Sequence, residues 1–255
     1  MNAQQKPEIW SFFSGAMGLD IGLEKAGLKT TLAVEVHPIF CETIKNNMPE
    51  LDVVKGDVRN LTGELLRQKR DFYDEVYLMV GGPPCQSFST GGKRSALSDP
   101  RGNLIYEYLR LINEIQPKFF VLENVASILT AAVKHRKIAD RPGKSWNLKA
   151  YSGRELINGE DGILPLLPEE QSGSAFRFLL DDIKALGYHV TFGVLNSADY
   201  GASQKRLRFV MIGSKLGSPP NLPKPTHGER QNLMSYNTVR HAIGDITESP
   251  GPHSV

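Results

Sequence analysis

Cysteine is nearly absent from this chain. Cys41 and Cys85 are the only two in 255 residues, so no disulfide framework is available and the chain suits a reducing cytosol. Long apolar runs are missing too. No stretch approaches the roughly 20 apolar residues of a membrane span, and the polar start from Met1 to Glu8 does not read as a secretory signal. Charge of one sign is not in excess. The 30 Lys and Arg against 28 Asp and Glu leave a net charge of +2, so any basic surface for nucleic acid must be local. Internal repeats are absent, which excludes solenoids. What remains is an ordinary soluble composition, long enough for one large domain or one and a half.

The chain is organised around Tyr77 to Ser89. Val76 to Val80 is a short apolar run that reads as a buried parallel strand. It stops at Gly81-Gly82-Pro83-Pro84. Glycine permits backbone shapes closed to other residues, and proline fixes φ and withdraws an N–H donor. The result is a stiff loop at the carboxyl end of a strand, where open α/β sheets bind ligands. Cys85 follows directly. By itself it reads equally as a presented nucleophile or as a small buried hydrophobe.

Before this loop, the apolar run Ile9 to Phe13 predicts a first strand. It breaks at Ser14-Gly15-Ala16-Met17-Gly18, and Leu19, Ile21, Leu23 and Ala26 lead into a helix ending near Gly27. Strand, glycine turn and helix open a doubly wound fold. Thr30 to Val34 predicts the next strand, with Glu35 at its tip. An acid about 20 positions beyond the glycine turn suits a ribose diol, or is simply a solvated loop carboxylate. A helix from Ile39 to Asn47 carries Cys41, read as core packing. Asp52 to Val54 is a third strand, followed by Gly56-Asp57-Val58. Asp57 suits an adenine amino group and equally a helix cap.

After Cys85, the polar stretch Thr90 to Gly102 is too long for a mere connection and suits a closing loop. Its Lys93, Arg94 and Arg101 suit phosphates or plain solvation. Leu104 to Ile115 has apolar residues at helical spacing. Phe119 to Leu122 predicts a strand ending in Glu123-Asn124-Val125, a second carboxylate on the same sheet edge as Cys85. Ala126 to Gly173 is poorly patterned and reads as a long insertion. Its Gly143-Lys144-Ser145 lacks the upstream glycine of a phosphate loop. Ser174 to Leu186 predicts a helix, and Tyr188 to Leu195 and Phe209 to Gly213 predict strands. Arg206 and Arg208 alternate with Leu207 and so share a face. A short helix is expected over Thr238 to Ile246.

These residues together resemble the C5-cytosine DNA methyltransferases. Phe13-Ser14-Gly15 through Met17-Gly18 resembles the S-adenosylmethionine loop, Glu35-Val36 the ribose-binding acid, and Gly56-Asp57-Val58 the adenine-side motif. Gly82-Pro83-Pro84-Cys85-Gln86-Ser87-Phe88-Ser89 is similar to the nucleophile motif. Asp99 to Leu104, Glu123-Asn124-Val125 and Gln204-Lys205-Arg206-Leu207-Arg208 resemble later motifs of the family, in the family's order. Met17 stands where the family usually has a second glycine, placed to crowd the methionine end of the cofactor. Ser203 stands where a proline usually precedes Gln204.

The resemblance implies an α/β fold: a doubly wound, mostly parallel, Rossmann-like S-adenosylmethionine-dependent methyltransferase. It implies catalysis by Cys85, Glu123, Arg206 and Arg208. Phe13, Ser14, Gly15, Met17, Gly18, Glu35, Val36, Asp57, Val58, Pro83 and Leu104 would hold S-adenosylmethionine, leaving S-adenosylhomocysteine as product. Gln86, Ser87, Ser89, Arg101, Asn124 and Gln204 would meet the substrate, and no metal is implied. Residues 1–215 would form the catalytic domain with the insertion at about 126–173, and 216–255 a Pro-rich linker. The family's target-recognition domain and late Gly-Asn motif have no counterpart in these residues. A second subunit or a further segment is therefore expected beside double-stranded DNA as partner, in a cytoplasmic, nucleoid-associated enzyme of a restriction–modification system. Two rivals share most of these features: a tRNA cytosine-5 methyltransferase, and a non-catalytic subunit that binds S-adenosylmethionine or DNA. A dinucleotide oxidoreductase shares the first glycine turn and acid but has no use for the Pro-Pro-Cys loop.

Overall fold

In the computed structural model, residues 6–84, 104–134 and 167–246 are described. The expected site residues Cys85, Gln86, Ser87, Ser89 and Arg101 lie outside them, as does residues 135–166 of the expected insertion. The apolar runs become strands, and the three central ones, the first, second and fourth in chain order, are buried on both faces, the pattern of a covered parallel sheet. They are β1 (Ile9–Phe12), β2 (Leu32–Glu35), β3 (Asp52–Lys55), β4 (Leu78–Gly81), β5 (Phe119–Val125), β6 (His189–Asn196) and β7 (Leu207–Ser214). They form one sheet in the order β3-β2-β1-β4-β5-β7-β6. β1 to β5 run parallel, and β7 lies antiparallel between β5 and β6. The doubly wound, mostly parallel expectation holds.

Helices cover both faces. Phe12, Val34, Met79, Phe120, Leu122 and Phe209 pack on one face against α3 (Gly63–Arg70), α4 (Leu104–Ile115) and α5 (Ser174–Ala185). α4 buries Ile105, Tyr108, Leu109, Leu111, Ile112 and Ile115, as its spacing predicts. On the other face Ile9, Leu78 and Val80 meet Leu23 of α1 (Gly18–Lys25), and Ala33 meets Ile44 of α2 (Pro38–Asn47). Leu19 and Ile21, expected as the apolar lead into α1, are exposed instead. Cys41 is buried, as expected.

Two strands run further than their apolar residues predict. β5 continues through Glu123, Asn124 and Val125 because β7 supplies partners there, whereas β4 stops opposite Leu122. β7 starts at Leu207, so Arg208 belongs to the strand while Arg206 precedes it. Ala126–Thr130, the first residues of the expected insertion, form a 3-10 turn whose Ile128 is fully buried. The described part of the expected linker is fastened down. Thr226 and His227 donate backbone N–H bonds to the Asp199 carbonyl at 2.8 and 3.0 Å, and the Tyr236 hydroxyl donates to Asp199 Oδ1 at 3.1 Å. The short helix α6 (Val239–Ile243) is capped by Thr238 and is exposed throughout.

Candidate active site

The strand order reverses between β1 and β4, the point at which open α/β sheets form a ligand crevice beyond their carboxyl ends. A cavity of about 370 Å³ lies there. Four strand ends supply its wall: Phe13 and Gly15 after β1, Glu35 and Val36 at β2, Gly56 to Arg59 after β3, and Gly82 and Pro84 after β4. Phe40 and Leu104 add apolar surface. The first turn is tightly wound. Phe13 and Met17 hold φ of 55° and 64°, and Gly15 holds 52°. Non-glycine residues pay for such angles, and strained turns cluster at functional sites.

Glu35 is buried, not a solvated loop carboxylate. Its Oε2 accepts from Gly15 N at 2.8 Å, and its Oε1 accepts from Val36 N and His37 N at 2.9 and 2.8 Å. The carboxylate thereby ties the glycine turn to the tip of β2. Asp57 is a cap: its Oδ1 accepts from Arg59 N at 3.0 Å, opening the 3-10 turn Val58–Asn60. It also lines the cavity and pairs with the Arg59 guanidinium, which holds its carboxyl below the usual range. The cavity thus combines apolar surface from Val36, Phe40 and Val58 with the carboxylates of Glu35 and Asp57. Among the described residues no group of three or more His, Cys, Asp or Glu could hold a metal.

Glu123 lies beside Gly82, and Asn124 holds Pro83, the next residue of the loop that leads to Cys85. They point to opposite faces of β5, since neighbours along a strand alternate. The Glu123 Oε2 lies so near Gly82 that a Cβ there would approach it to 3.1 Å. Asn124 is buried, and its Nδ2 donates to the Pro83 carbonyl at 3.0 Å while its Oδ1 accepts from Val125 N at 2.8 Å. Its amide is therefore spent on the loop and its own strand, where substrate contact had been expected. Arg208 sits opposite Val125, on the same face as Glu123, and its Nε donates to Glu123 Oε1 at 2.8 Å. Burial pushes the Glu123 carboxyl above its usual value, against the opposing pull of Arg208 and then Arg206. Burial and the arginines thus act on this carboxyl in opposite senses, and burial is the larger.

Of the residues expected to hold the cofactor, Phe13, Gly15, Glu35, Val36, Asp57, Val58 and Leu104 line the cavity. Ser14, Met17, Gly18 and Pro83 do not. The Ser14 hydroxyl bonds Ser11 Oγ at 3.0 Å, and Met17 is buried against Ala33 and Ile44. Met17 therefore packs beneath the turn instead of crowding the cavity. Gln204 and Arg206 are exposed at the entry to β7, and the Gln204 carbonyl accepts from Ser197 Oγ at 2.5 Å. Lining residues outside the expected cofactor set are Val34, Phe40, Gly56, Arg59, Gly82 and Pro84, and sequence reasoning also passed over Asp20. Asp20 is buried and accepts from Ser11 and Thr30 hydroxyls at 3.0 and 2.7 Å, bracing the first turn from within. Burial pushes its carboxyl up.

Comparison with known proteins finds relatives of the whole chain. Type II methyltransferase M.AquIA of Picosynechococcus sp. is 34% identical over 259 residues, covering 97% of this chain and 92% of that protein. M1.HphI of Haemophilus parahaemolyticus is 34% identical and M.XorII of Xanthomonas oryzae pv. oryzae 35% identical. This chain covers 50% and 46% of those two, so it spans about half the length of the longer relatives. Among solved structures, a prophage-encoded protein of Escherichia coli assigned as a DNA modification methyltransferase superposes with a TM-score of 0.62 at 24% identity, over 93% of this chain and 54% of that one. Entamoeba histolytica methyltransferase EhMeth gives a TM-score of 0.56 at 16% identity, over 92% and 58%. These two likenesses show a shared fold. Residues 8–140 and 165–254 match the family described as C-5 cytosine-specific DNA methylase, and the chain belongs to that family.

Proposed function

We propose that the protein transfers a methyl group from S-adenosylmethionine to C5 of cytosine in DNA, through a covalent bond between Cys85 and C6 of a flipped-out base. The observation that carries this reading is the placement of Glu123. A carboxyl raised by burial stands beside Gly82 at the root of the Pro-Pro-Cys loop, with Arg208 on its other oxygen. Cytosine C5 is a poor nucleophile. Addition of the Cys85 thiolate to C6 pushes the ring electron pair towards N3 and C5. Glu123, in its protonated form, donates to N3 and takes up that charge. Arg208 holds Glu123 and stands on the same face to meet the O2 side of the ring. Bound in the cavity, S-adenosylmethionine supplies an electrophilic methyl group to C5. Loss of the C5 proton to a base then restores the C5–C6 double bond and expels Cys85 as thiolate. The ring is unreachable within a stacked duplex, so the base must be flipped out.

Glu35, Asp57, Val36 and Phe40 would hold the ribose and adenine. The base would be presented by a recognition component beyond these 255 residues, carried further along the polypeptide or by a second subunit. Exposed Leu19 and Ile21 on α1, and Val239 and Ile243 on α6, are surfaces such a component would cover. The Type II methyltransferase names of the relatives favour a restriction–modification setting. The test is transfer of label from methyl-tritiated S-adenosylmethionine to duplex DNA or to tRNA, with extract of the source cell. Label in 5-methylcytosine of DNA is the expected result. Label in tRNA alone would replace DNA with tRNA as substrate, and label in neither would leave a binding subunit.

A further inference from the structure

Arg59 is the only cation that lines the cavity among the described residues, and it occupies the carboxylate that the adenine amino group would use. Asp57 Oδ1 accepts from the Arg59 backbone N at 3.0 Å and from Arg59 Nε at 3.0 Å. Asp57 Oδ2 accepts from Arg59 Nε at 3.0 Å and from Arg59 Nη2 at 2.5 Å. A carboxylate offers about four lone-pair sites, so one residue fills the acceptor. The backbone N–H cannot leave without unwinding the 3-10 turn. The guanidinium can leave, because its side chain is 50% exposed and the pair is open to solvent and salt. The Glu107 carboxylate on α4, which accepts from Arg110 Nε at 2.9 Å, adds a weaker pull on Arg59.

We propose that Arg59 is an internal competitor for the adenine-binding carboxylate, and that its guanidinium must swing off Asp57 before the exocyclic amino group of adenine donates there. The proposal rests on reading the cavity as the S-adenosylmethionine site. Arg59 is then a positioning residue that sets cofactor affinity through Asp57 and makes it depend on ionic strength. Salt weakens the ion pair that competes, so it strengthens adenine binding at this one contact.

The test is calorimetric binding of S-adenosylhomocysteine to wild type, Arg59→Met, Asp57→Asn and the double variant, at low and high salt. Methionine keeps an unbranched apolar stem and removes the guanidinium. Arg59→Met is expected to bind about two- to fivefold more tightly at low salt, the range of an exposed ion pair. The gain should shrink at high salt and vanish on the Asp57→Asn background. It should also vanish for S-inosylhomocysteine, whose ring carries oxygen in place of the amino group. Equal or weaker binding by a folded Arg59→Met, or a gain that survives in Asp57→Asn, would overturn the competition. Failure of wild type to bind S-adenosylhomocysteine at all would instead overturn the cofactor reading on which it rests.

Discussion

Asn124→Leu is the sharpest probe of how the loop before Cys85 is held. The buried amide donates to the Pro83 carbonyl at 3.0 Å and accepts from Val125 N at 2.8 Å. Leucine matches it in size but makes neither bond. Each buried group left unpaired costs about 1–3 kcal/mol, so the pair costs about 2–6 kcal/mol. For a chain of this size that is a fall of roughly 5–20 °C in Tm. Asn124 does not line the cavity, so affinity for S-adenosylhomocysteine should stay within about twofold, a change below 0.5 kcal/mol or so. The chemistry should suffer more. A reacting group displaced by about 1 Å loses on the order of 10²-fold in rate. The assay is the rate of adduct formation on fluorinated DNA, per folded molecule, at a temperature where the variant is folded. An unchanged Tm would refute the hydrogen-bond accounting. A lowered Tm with an unchanged adduct rate would refute the claim that Asn124 positions the loop.

Three other outcomes are expected. In Glu123→Gln, adduct formation should fall by about 10²–10⁴-fold, the usual worth of a positioned acid. Its stability should respond to pH in the opposite sense. Burial holds the Glu123 carboxyl above its usual value, so the folded state binds that proton more tightly, and stability is lost as pH rises from the ordinary carboxylate range through the folded value. Glutamine removes that loss, and thermal melts of the variant should exceed wild type above that window and converge with it below. Glu35→Gln should weaken S-adenosylhomocysteine by about 10–150-fold, since the bonds from Gly15, Val36 and His37 end on a charge worth about 1.5–3 kcal/mol per bond; wild-type affinity by calorimetry would refute its role. Gly81→Ala would bring a Cβ to 2.8 Å from the Tyr108 ring, whose hydroxyl donates to the Val121 carbonyl. Overpacking of that kind costs about 1–3 kcal/mol, and an unchanged denaturation midpoint would refute it.

The sheet was legible because its strands are short apolar runs cut off by glycine, proline or an acid. Several of those terminators line the crevice at the carboxyl edge, and Glu35, Asp57 and Glu123 could be singled out together because each ends or follows such a run. Long-range pairing was not legible. Nothing within Phe119 to Val125 shows that the strand continues past its apolar residues, because the partner β7 lies about 90 residues on, and such pairing is a tertiary effect that local pattern does not carry. The surroundings of Met17 were not legible either: its sequence position suggests the cofactor, and its side chain packs against Ala33 and Ile44. Leu19 and Ile21 are apolar residues leading into a helix yet are exposed, since two positions apart they lie on different sides of it and apolar character alone does not say what covers them. Asn124 and Arg59 illustrate a third limit. Their roles are set by which polar atoms they satisfy, Pro83 in one case and Asp57 in the other, and hydrogen-bond partners across space leave no local signature.

The central claim is that Cys85 bonds to C6 of a cytosine ring. Fluorine at C5 blocks the final elimination, so the thiolate cannot leave once methyl transfer has occurred. The measurement is covalent trapping on duplex DNA containing 5-fluorocytosine, with S-adenosylmethionine and extract of the source cell, followed by peptide mass spectrometry of the adduct. The account predicts a stable adduct on the Cys85 peptide that disappears in Cys85→Ser. An adduct that persists in Cys85→Ser, or methylation of cytosine without any trapped species, would contradict it.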